Sequence, residues 1–432
     1  MSEARAAEPA SGALPPVWRQ REYLLLWGGQ VVATMGANAS GIIYPLLILA
    51  LTGSPALASW AAALRILPFL VLCLPVGALV DRWDRRRVMM VCHVGRGLAV
   101  AVLPVAMWTD ALSVGLIYAV AVVEGALHVF FNIAETSALP RVVAAEQLPA
   151  ATAQNQAGFA AAVVVGPPVG TWLYQTVGRP WPFVLDFVCH LAAALALSRM
   201  KTSFTPAPVA AGVRRSLRAD VAEGLRWLWH ERLVRDMALI TSVLNFIGAA
   251  TPLVLIVMGK RLGASDAEIG LVFSLGGLGA IAGAAVGGAI ARRFSFGQVI
   301  IGVITLQALL FPLFALCPSA LWLGVVYGLL NLCGPVYNVV QLAYRIALIP
   351  DGLQGRVHSS FRLIAHALNP VGAVVCGWAL EHWGGPWAVA LFGAAYVALA
   401  LATAADPVVR KAPRQQGVAH EPQPGGGARP GG

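Results

Sequence analysis

Gly77-Ala-Leu-Val-Asp81-Arg82-Trp-Asp84-Arg85-Arg86-Arg87 packs two acids and four arginines into eleven residues, between two long apolar runs. A charged side chain at the centre of a bilayer costs about 2.5–3.5 kcal/mol on insertion scales. This knot therefore belongs outside hydrocarbon, as a short hairpin between two membrane spans. The whole chain has the composition that such a hairpin needs: 432 residues, 58% hydrophobic, only 12% charged, with a mean hydropathy of +0.73. Ordinary soluble domains carry about twice that charge.

Apolar stretches of about 18 residues or more suffice to cross a bilayer. Twelve occur, near 23–51, 57–80, 88–108, 112–133, 153–175, 181–199, 237–259, 268–291, 297–317, 320–342, 357–380 and 386–404. The fold expected is an all-α integral membrane protein with twelve transmembrane helices. The first run is too long for the apolar core of a cleavable signal, and the residues before it are polar and Pro/Ala-rich. One long polar insertion, Lys201–Asp236, separates the sixth span from the seventh. Its second part, Leu217–Trp229, alternates apolar and charged residues at helical spacing and reads as an amphipathic surface helix. Residues after Asp406 are rich in Pro, Gly and Gln and read as disordered. The organisation expected is a cytoplasmic segment 1–20, a bundle over 21–200, a linker over 201–236, a second bundle over 237–405, and a tail over 406–432.

Charge sets the expected orientation. With the N-terminus inside, 24 of the 30 Lys and Arg lie in inner segments. Arg179, Lys260 and Arg261 alone face outward, and Arg65, Arg96 and Arg362 fall within spans. The positive-inside rule then puts both termini in the cytoplasm. The net charge of +10 belongs to loops facing anionic lipid, so no nucleic-acid partner is expected. Six cysteines are scattered through apolar runs without metal-ligand spacing, and no metal or other cofactor is expected. No Walker loop is present, which argues against direct use of ATP.

The chain also repeats itself. Phe131-Asn132 in the fourth span recurs as Tyr337-Asn338 in the tenth, 206 residues on. Gly178-Arg-Pro-Trp181 recurs as Gly384-Gly-Pro-Trp387 at the same offset. The Gly77 loop has a weaker echo, without its acid, at Gly288-Ala-Ile-Ala-Arg-Arg293. A shared offset implies two pseudo-symmetric six-helix bundles, the architecture by which secondary transporters enclose a central site.

Ionisable groups inside spans are functional candidates by default, because lipid-facing ones are costly. Glu124 falls near mid-membrane, on a stripe with His128, Phe131 and Glu135. Its candidate counter-cation is Arg65, at similar depth in the second span. Asp186 and His190 form an i, i+4 pair nearer the outer end of the sixth span. Arg65, Glu124, His128 and Asp186 are thus the candidates for transport and proton coupling, an interhelical packing role being the alternative for each. Arg96 and Arg362 lie nearer the cytoplasmic ends and can snorkel, so anchoring or latch contacts are expected of them rather than substrate contact. The amides Asn38, Asn245, Asn331, Asn338 and Gln341 are cavity-lining candidates, or helix-to-helix hydrogen bonders.

Several of these stretches resemble those of the major facilitator superfamily. The Gly77–Arg87 segment resembles that family's loop between its second and third helices, with Asp84 where the family usually has Gly. The resemblance implies that Gly77, Asp81, Arg82, Arg85, Arg86 and Arg87 form a cytoplasmic latch, the acid pairing with helix ends while the protein faces outward. Ala162-Val-Val-Val-Gly166-Pro167-Pro168-Val-Gly170-Thr171 resembles the family's antiporter motif, with Ala162 and Thr171 replacing its outer glycines. That motif implies export and sealing of the cavity toward the outside; a kinked, tightly packed helix is the alternative reading. Glu124-Gly125 stands where the family's proton-linked motif has Gln-Gly, and Ala121 stands where that motif has its arginine. Tyr23-Leu-Leu-Leu-Trp27-Gly-Gly-Gln30, Ala-Leu-Arg65-Ile-Leu-Pro68, Ala138-Leu-Pro140 and Pro350-Asp-Gly-Leu-Gln-Gly355-Arg356 extend the resemblance toward bacterial exporters of siderophores and macrolides.

The expected function is therefore secondary active transport, not enzymatic catalysis: proton-coupled export of a small amphipathic molecule by alternating access. The expected partners are that substrate, protons and the lipid bilayer of a bacterial cell membrane, with the chain acting as a monomer. A proton-linked importer of a small polar solute shares the fold. A non-transporting membrane sensor or assembly factor is the third reading.

Overall fold

The structure is a computed structural model that describes residues 16–80, 83–136, 138–202, 217–350 and 353–412. The helices are α1 (Arg21–Gly41), α2 (Ile43–Thr52), α3 (Pro55–Val80), α4 (Arg85–Trp108), α5 (Val114–Thr136), α6 (Leu148–Thr176), α7 (Trp181–Ser198), α8 (Leu217–His230), α9 (Arg232–Arg261), α10 (Asp266–Arg293), α11 (Phe296–Leu310), α12 (Ala320–Leu348), α13 (Gln354–Ala367), α14 (Asn369–His382), α15 (Gly385–Ala405) and α16 (Pro407–Lys411). They make twelve spans long and apolar enough to cross a membrane, α1–α2 forming the first and α13–α14 the eleventh. Each of the twelve sequence-derived spans has its helix. Large apolar side chains such as Val71, Leu309, Leu321 and Leu401 are two-thirds exposed on the outer faces of the bundle. That arrangement is stable only in lipid.

Two belts of tryptophan bracket the apolar zone. Trp108, Trp181, Trp322 and Trp387 are exposed at one end of the helices, and Trp18, Trp83 and Trp229 at the other. Indole rings favour the membrane–water boundary, where an apolar body and a polar N–H are both accommodated. The second end carries Arg85, Arg86 and Arg87 and is called the basic end below.

Prolines and small residues shape the spans. Pro45 lacks the N–H that would continue the helical ladder, and the first span breaks at Ile42, just before it. Pro370, beside Asn369, marks the corresponding break at Leu368 in the eleventh span. Elsewhere glycine sets the helix spacing. A Cβ on Gly125 of α5 would overlap the Arg65 carbonyl of α3, and one on Gly170 of α6 would overlap the Ala39 carbonyl of α1.

Two bundles result, joined along the α3–α14 and α6–α10 seams. Hydrogen bonds across these seams gather at the end away from the arginines. Ser54 Oγ and the Ala56 N–H both donate to Glu381, and the Ala267 N–H donates to Gln175 Oε1 at 2.9 Å. Deeper in, Ser274 Oγ donates to the Val164 carbonyl at 2.7 Å. These bonds tie the two bundles together toward that end.

One expectation needs adjusting. The stretch after Asp406 is not irregular from its start, because Asp406 caps α16 by accepting from the Val408 N–H at 2.9 Å. Residues 413–432 and the linker stretch 203–216 lie outside the described residues. So do Asp81 and Arg82, the centre of the expected latch. Within that loop, Asp84 caps α4 through the Arg86 N–H, and Arg86 Nε donates to the Leu197 carbonyl at the end of α7. The amphipathic helix is present as α8 and packs on α13, where Arg356 Nη1 meets Glu223 Oε2 at 2.7 Å.

Candidate functional site

Glu124 is fully buried in the first bundle, and three helices converge on it. Arg65 Nη2 of α3 lies 3.6 Å from its Oε1, and Arg96 Nη2 of α4 lies 3.5 Å from the same oxygen. Tyr44 of α2 donates its hydroxyl to Oε2 at 2.8 Å. The Arg65 guanidinium also lies 5.7 Å from the centre of the Tyr44 ring. A buried carboxylate needs such neutralisation and hydrogen bonding to stay charged.

Asp186 lies beside this group on α7, also fully buried. Ser40 Oγ donates to its Oδ2 at 2.6 Å. Its Oδ1 lies 3.5 Å from His190 Nε2, an ion-pair approach and not a hydrogen bond, and neither atom has a hydrogen-bond partner. On the far side of the ring, His190 Nδ1 lies 3.0 Å from His93 Nδ1 of α4. Glu124, Asp186 and His190 are close enough together to hold a metal ion. Both Arg65 and Arg96 already pair with Glu124, so a divalent ion there would face two guanidinium groups. The arrangement suits protons better than metals.

A cavity of about 910 Å³ lies against this cluster. It runs from Gly41 and Arg65 at mid-depth to Gln30, Thr136 and Thr152 near the basic end. Arg65, His93, Arg96 and His128 line its inner part, and Phe273 and His366 contribute from the second bundle. Glu135, at the outer part of the α5 stripe, takes a hydrogen bond from Gln30. A second, smaller cavity of about 270 Å³ lies within the second bundle, lined by Thr241, Asn245, Gln307, Asn331 and Asn338 among others.

The expected residues divide as follows. Arg65, Glu124 and Asp186 come together with His190, and His128 lines the large cavity nearby. Asn38 lines that cavity, whereas Asn245, Asn331 and Asn338 line the smaller one. Gln341 lines neither; it is buried, with its Nε2 unpartnered. Gly166 and Gly170 press against α1, and Thr171 and Pro168 against Gly270 of α10, so the antiporter-like stretch is a packing seam between three helices. One expectation is corrected. Arg96 does not snorkel: it is only 6% exposed and reaches inward to Glu124, the nearest opposite charge. Arg362 crosses the interface, its Nη2 lying 3.5 Å from Asn132 Oδ1 and its guanidinium 5.3 Å from the Phe69 ring.

Sequence reasoning missed Ser40, Tyr44 and His93. Each is one polar side chain in an apolar run, and no spacing rule ties it to a partner on another helix. A signal for His93 did exist, since it precedes Arg96 by one helical turn on the same face.

Twelve spans in two bundles, with a large cavity lined from both, have the architecture of a membrane transporter. The chain belongs to the Major Facilitator Superfamily, whose model matches residues 26–368 and, in a second match, 237–425. It is 30% identical to the multidrug efflux pump Tap of Mycolicibacterium fortuitum over 82% of this chain and 88% of that one. It is 29% identical to macrolide efflux protein A of Streptococcus pyogenes over 37% of this chain and 39% of the relative. Among solved structures, a bacterial homologue of the iron transporter ferroportin in an inward-facing state superposes with a TM-score of 0.66. That match is at 15% identity and covers 89% of this chain and all of that one. The nucleoside transporter NupG superposes at 0.70 and 14% identity, over 89% and 99% of the two chains. At these identities the structural matches speak for the fold alone.

Proposed function

We propose that this transporter exports small amphipathic molecules, drugs among them, from a bacterial cell in exchange for protons. The observation that carries the reading is the chain of contacts from Asp186 through His190 to His93 on the cavity wall. A hydrogen bond between two Nδ1 atoms needs a proton on one and a lone pair on the other. If His190 bears its proton on Nδ1, its Nε2 is bare and suits a protonated Asp186. If it bears the proton on Nε2, it suits the Asp186 carboxylate. The His190 tautomer and the charge of Asp186 are thus tied together. One proton moving from Asp186 to Nε2, and another from His190 Nδ1 to His93, leaves Asp186 ionised and His93 able to release a proton from Nε2 to cavity water. Protons are conserved at every step.

In this reading the basic end is cytoplasmic, as the positive-inside rule requires, and both termini lie there. The conformation is then open inward, with the far end closed by Glu381 and Gln175. The halves, residues 21–200 and 237–405, rock about the substrate, with residues 201–236 as their tether. The latch loop around Asp81 holds the opposite conformation. One chain contains the whole chamber, so a monomer suffices. A chamber of about 910 Å³ has the size of drug-binding sites. Similarity to Tap and to the macrolide efflux protein favours export over import or sensing.

The test is reconstitution into proteoliposomes with an imposed pH gradient and a fluorescent drug panel. Wild-type protein should accumulate drug against its concentration gradient. Asp186→Asn should lose this uphill movement while retaining drug exchange at equal pH. Uphill transport persisting in both Asp186→Asn and Glu124→Gln would refute the coupling.

A further inference from the structure

The 206-residue offset of the repeat relates the two cavities as well as the helices. Applied to α5 and α7, it places Leu330 opposite Glu124, Gly334 opposite His128, Phe392 opposite Asp186 and Tyr396 opposite His190. Leu330, Gly334 and Tyr396 line the smaller cavity of the second bundle. Its wall contains no charged residue. Where the first bundle holds its proton-carrying cluster, the second holds a neutral pocket.

That pocket presents acceptors. Thr241 donates to the Met237 carbonyl at 2.7 Å and also lies 2.7 Å from the Tyr337 hydroxyl. The tyrosine hydrogen is therefore the one shared between them, which leaves the phenolic lone pairs free. Thr251 donates to the Ile247 carbonyl, Asn245 Nδ2 to that of Ala365, and Asn331 Nδ2 to that of Tyr327. The amide oxygens Asn245 Oδ1 and Asn331 Oδ1 remain unclaimed by these bonds. Gln307 is 92% buried and lines the pocket, and its Oε1 has no hydrogen-bond partner. A buried acceptor left unmade costs free energy until something donates to it. Tyr327, Tyr337 and Tyr396 supply ring faces around these oxygens. The volume of about 270 Å³ takes a single ring with its substituents, not a whole drug.

We propose that this pocket is a second binding subsite, which grips a ring carrying hydroxyl or amine donors on the exported molecule. The proposal rests on the drug-export reading and divides the work between the bundles. The first moves protons, and the second recognises the substrate through donors it must offer to Gln307, Asn245 and Asn331. No charged side chain lines the pocket, so a neutral ring suits it better than an anionic one.

The test uses purified protein in nanodiscs and two probes read by tryptophan quenching. Doxorubicin carries an amino-sugar ring with hydroxyl and ammonium donors, whereas tetraphenylphosphonium is a lipophilic cation with no donor at all. Gln307→Leu and Asn331→Leu should each weaken doxorubicin on the order of ten-fold, as one lost buried hydrogen bond does. Tetraphenylphosphonium should bind as before, which also shows that the variants fold. Equal weakening of both probes, or unchanged doxorubicin affinity, would overturn the subsite and leave the proton-coupled export reading standing. Failure of wild-type protein to bind either probe would remove drug recognition and the subsite together.

Discussion

Tyr44 and Glu124 meet across the break in the first span, the phenol donating to carboxylate Oε2 at 2.8 Å. The ring is held edge-on by Phe183, 5.4 Å away between centroids, so the hydroxyl has little freedom to turn elsewhere. Tyr44 stands next to Pro45, just past the break between α1 and α2, so the broken stretch of the first span carries a hydrogen bond to a buried charge on α5.

Tyr44→Phe isolates that bond, because ring, volume and proximity to Arg65 are all retained. Hydrogen bonds to charged groups contribute about 1.5–3 kcal/mol, and a buried oxygen left without its donor costs as much. The variant should melt several degrees below wild type in detergent and transport more slowly. An unchanged melting temperature would mean that water takes the place of the phenol.

Arg96 and Arg65 share one carboxylate oxygen but differ in setting, with side-chain exposures of 7% and 31%. Removing one partner of an enclosed ion pair costs up to about 3–5 kcal/mol where the other charge stays buried, an upper bound here because Arg65 still faces Glu124. Arg96→Met should therefore fold poorly, judged by size-exclusion profiles of a fluorescent fusion. Adding Glu124→Gln to Arg96→Met should restore a monodisperse peak without restoring pH-driven transport. A double variant no better folded than Arg96→Met alone would argue against direct pairing.

The spans were legible because hydrocarbon imposes one simple rule, about twenty apolar residues per crossing, and all twelve obey it. Glu124, Asp186 and Arg65 were legible for the same reason, as charges where charge is costly. Arg96 obeyed that rule too, yet depth along the helix suggested a snorkelling side chain; burial depends on rotation about the axis, which one helix does not reveal. His93, Ser40 and Tyr44 depend on which helices become neighbours, and only the assembled bundle decides that. Gln307 is a single amide in α11 whose significance comes wholly from the pocket it faces.

Glycine spacing gives a sharper steric test. A side chain on Gly125 or Gly170 would overlap a neighbouring backbone carbonyl, which cannot move without shifting a whole helix. Gly28 and Gly334 have nothing within 4 Å of the same position. Gly125→Ala and Gly170→Ala should lower the yield of folded protein several-fold, while Gly28→Ala and Gly334→Ala should not. Equal yields from all four would show that the α3–α5 and α1–α6 contacts are looser than the backbone positions imply.

Glu381 joins the two bundles at the end away from the arginines, accepting from Ser54 Oγ and from the Ala56 N–H at the start of α3. One carboxylate of the second bundle therefore caps a helix of the first, and it must let go whenever that end opens. Just inside, Gly377 lies so close to Ser59 that a Cβ would overlap the serine hydroxyl. Glu381→Gln keeps the size of the side chain but removes its charge, and so weakens both bonds. The equilibrium should move toward the state open at that end. Ser59→Cys, buried at 3% exposure in the closed form, then becomes the reporter. In cells, a membrane-impermeant maleimide should label Ser59→Cys slowly, and several-fold faster when Glu381→Gln is added. The same rate in both backgrounds would mean that the α6–α10 seam alone holds this end shut.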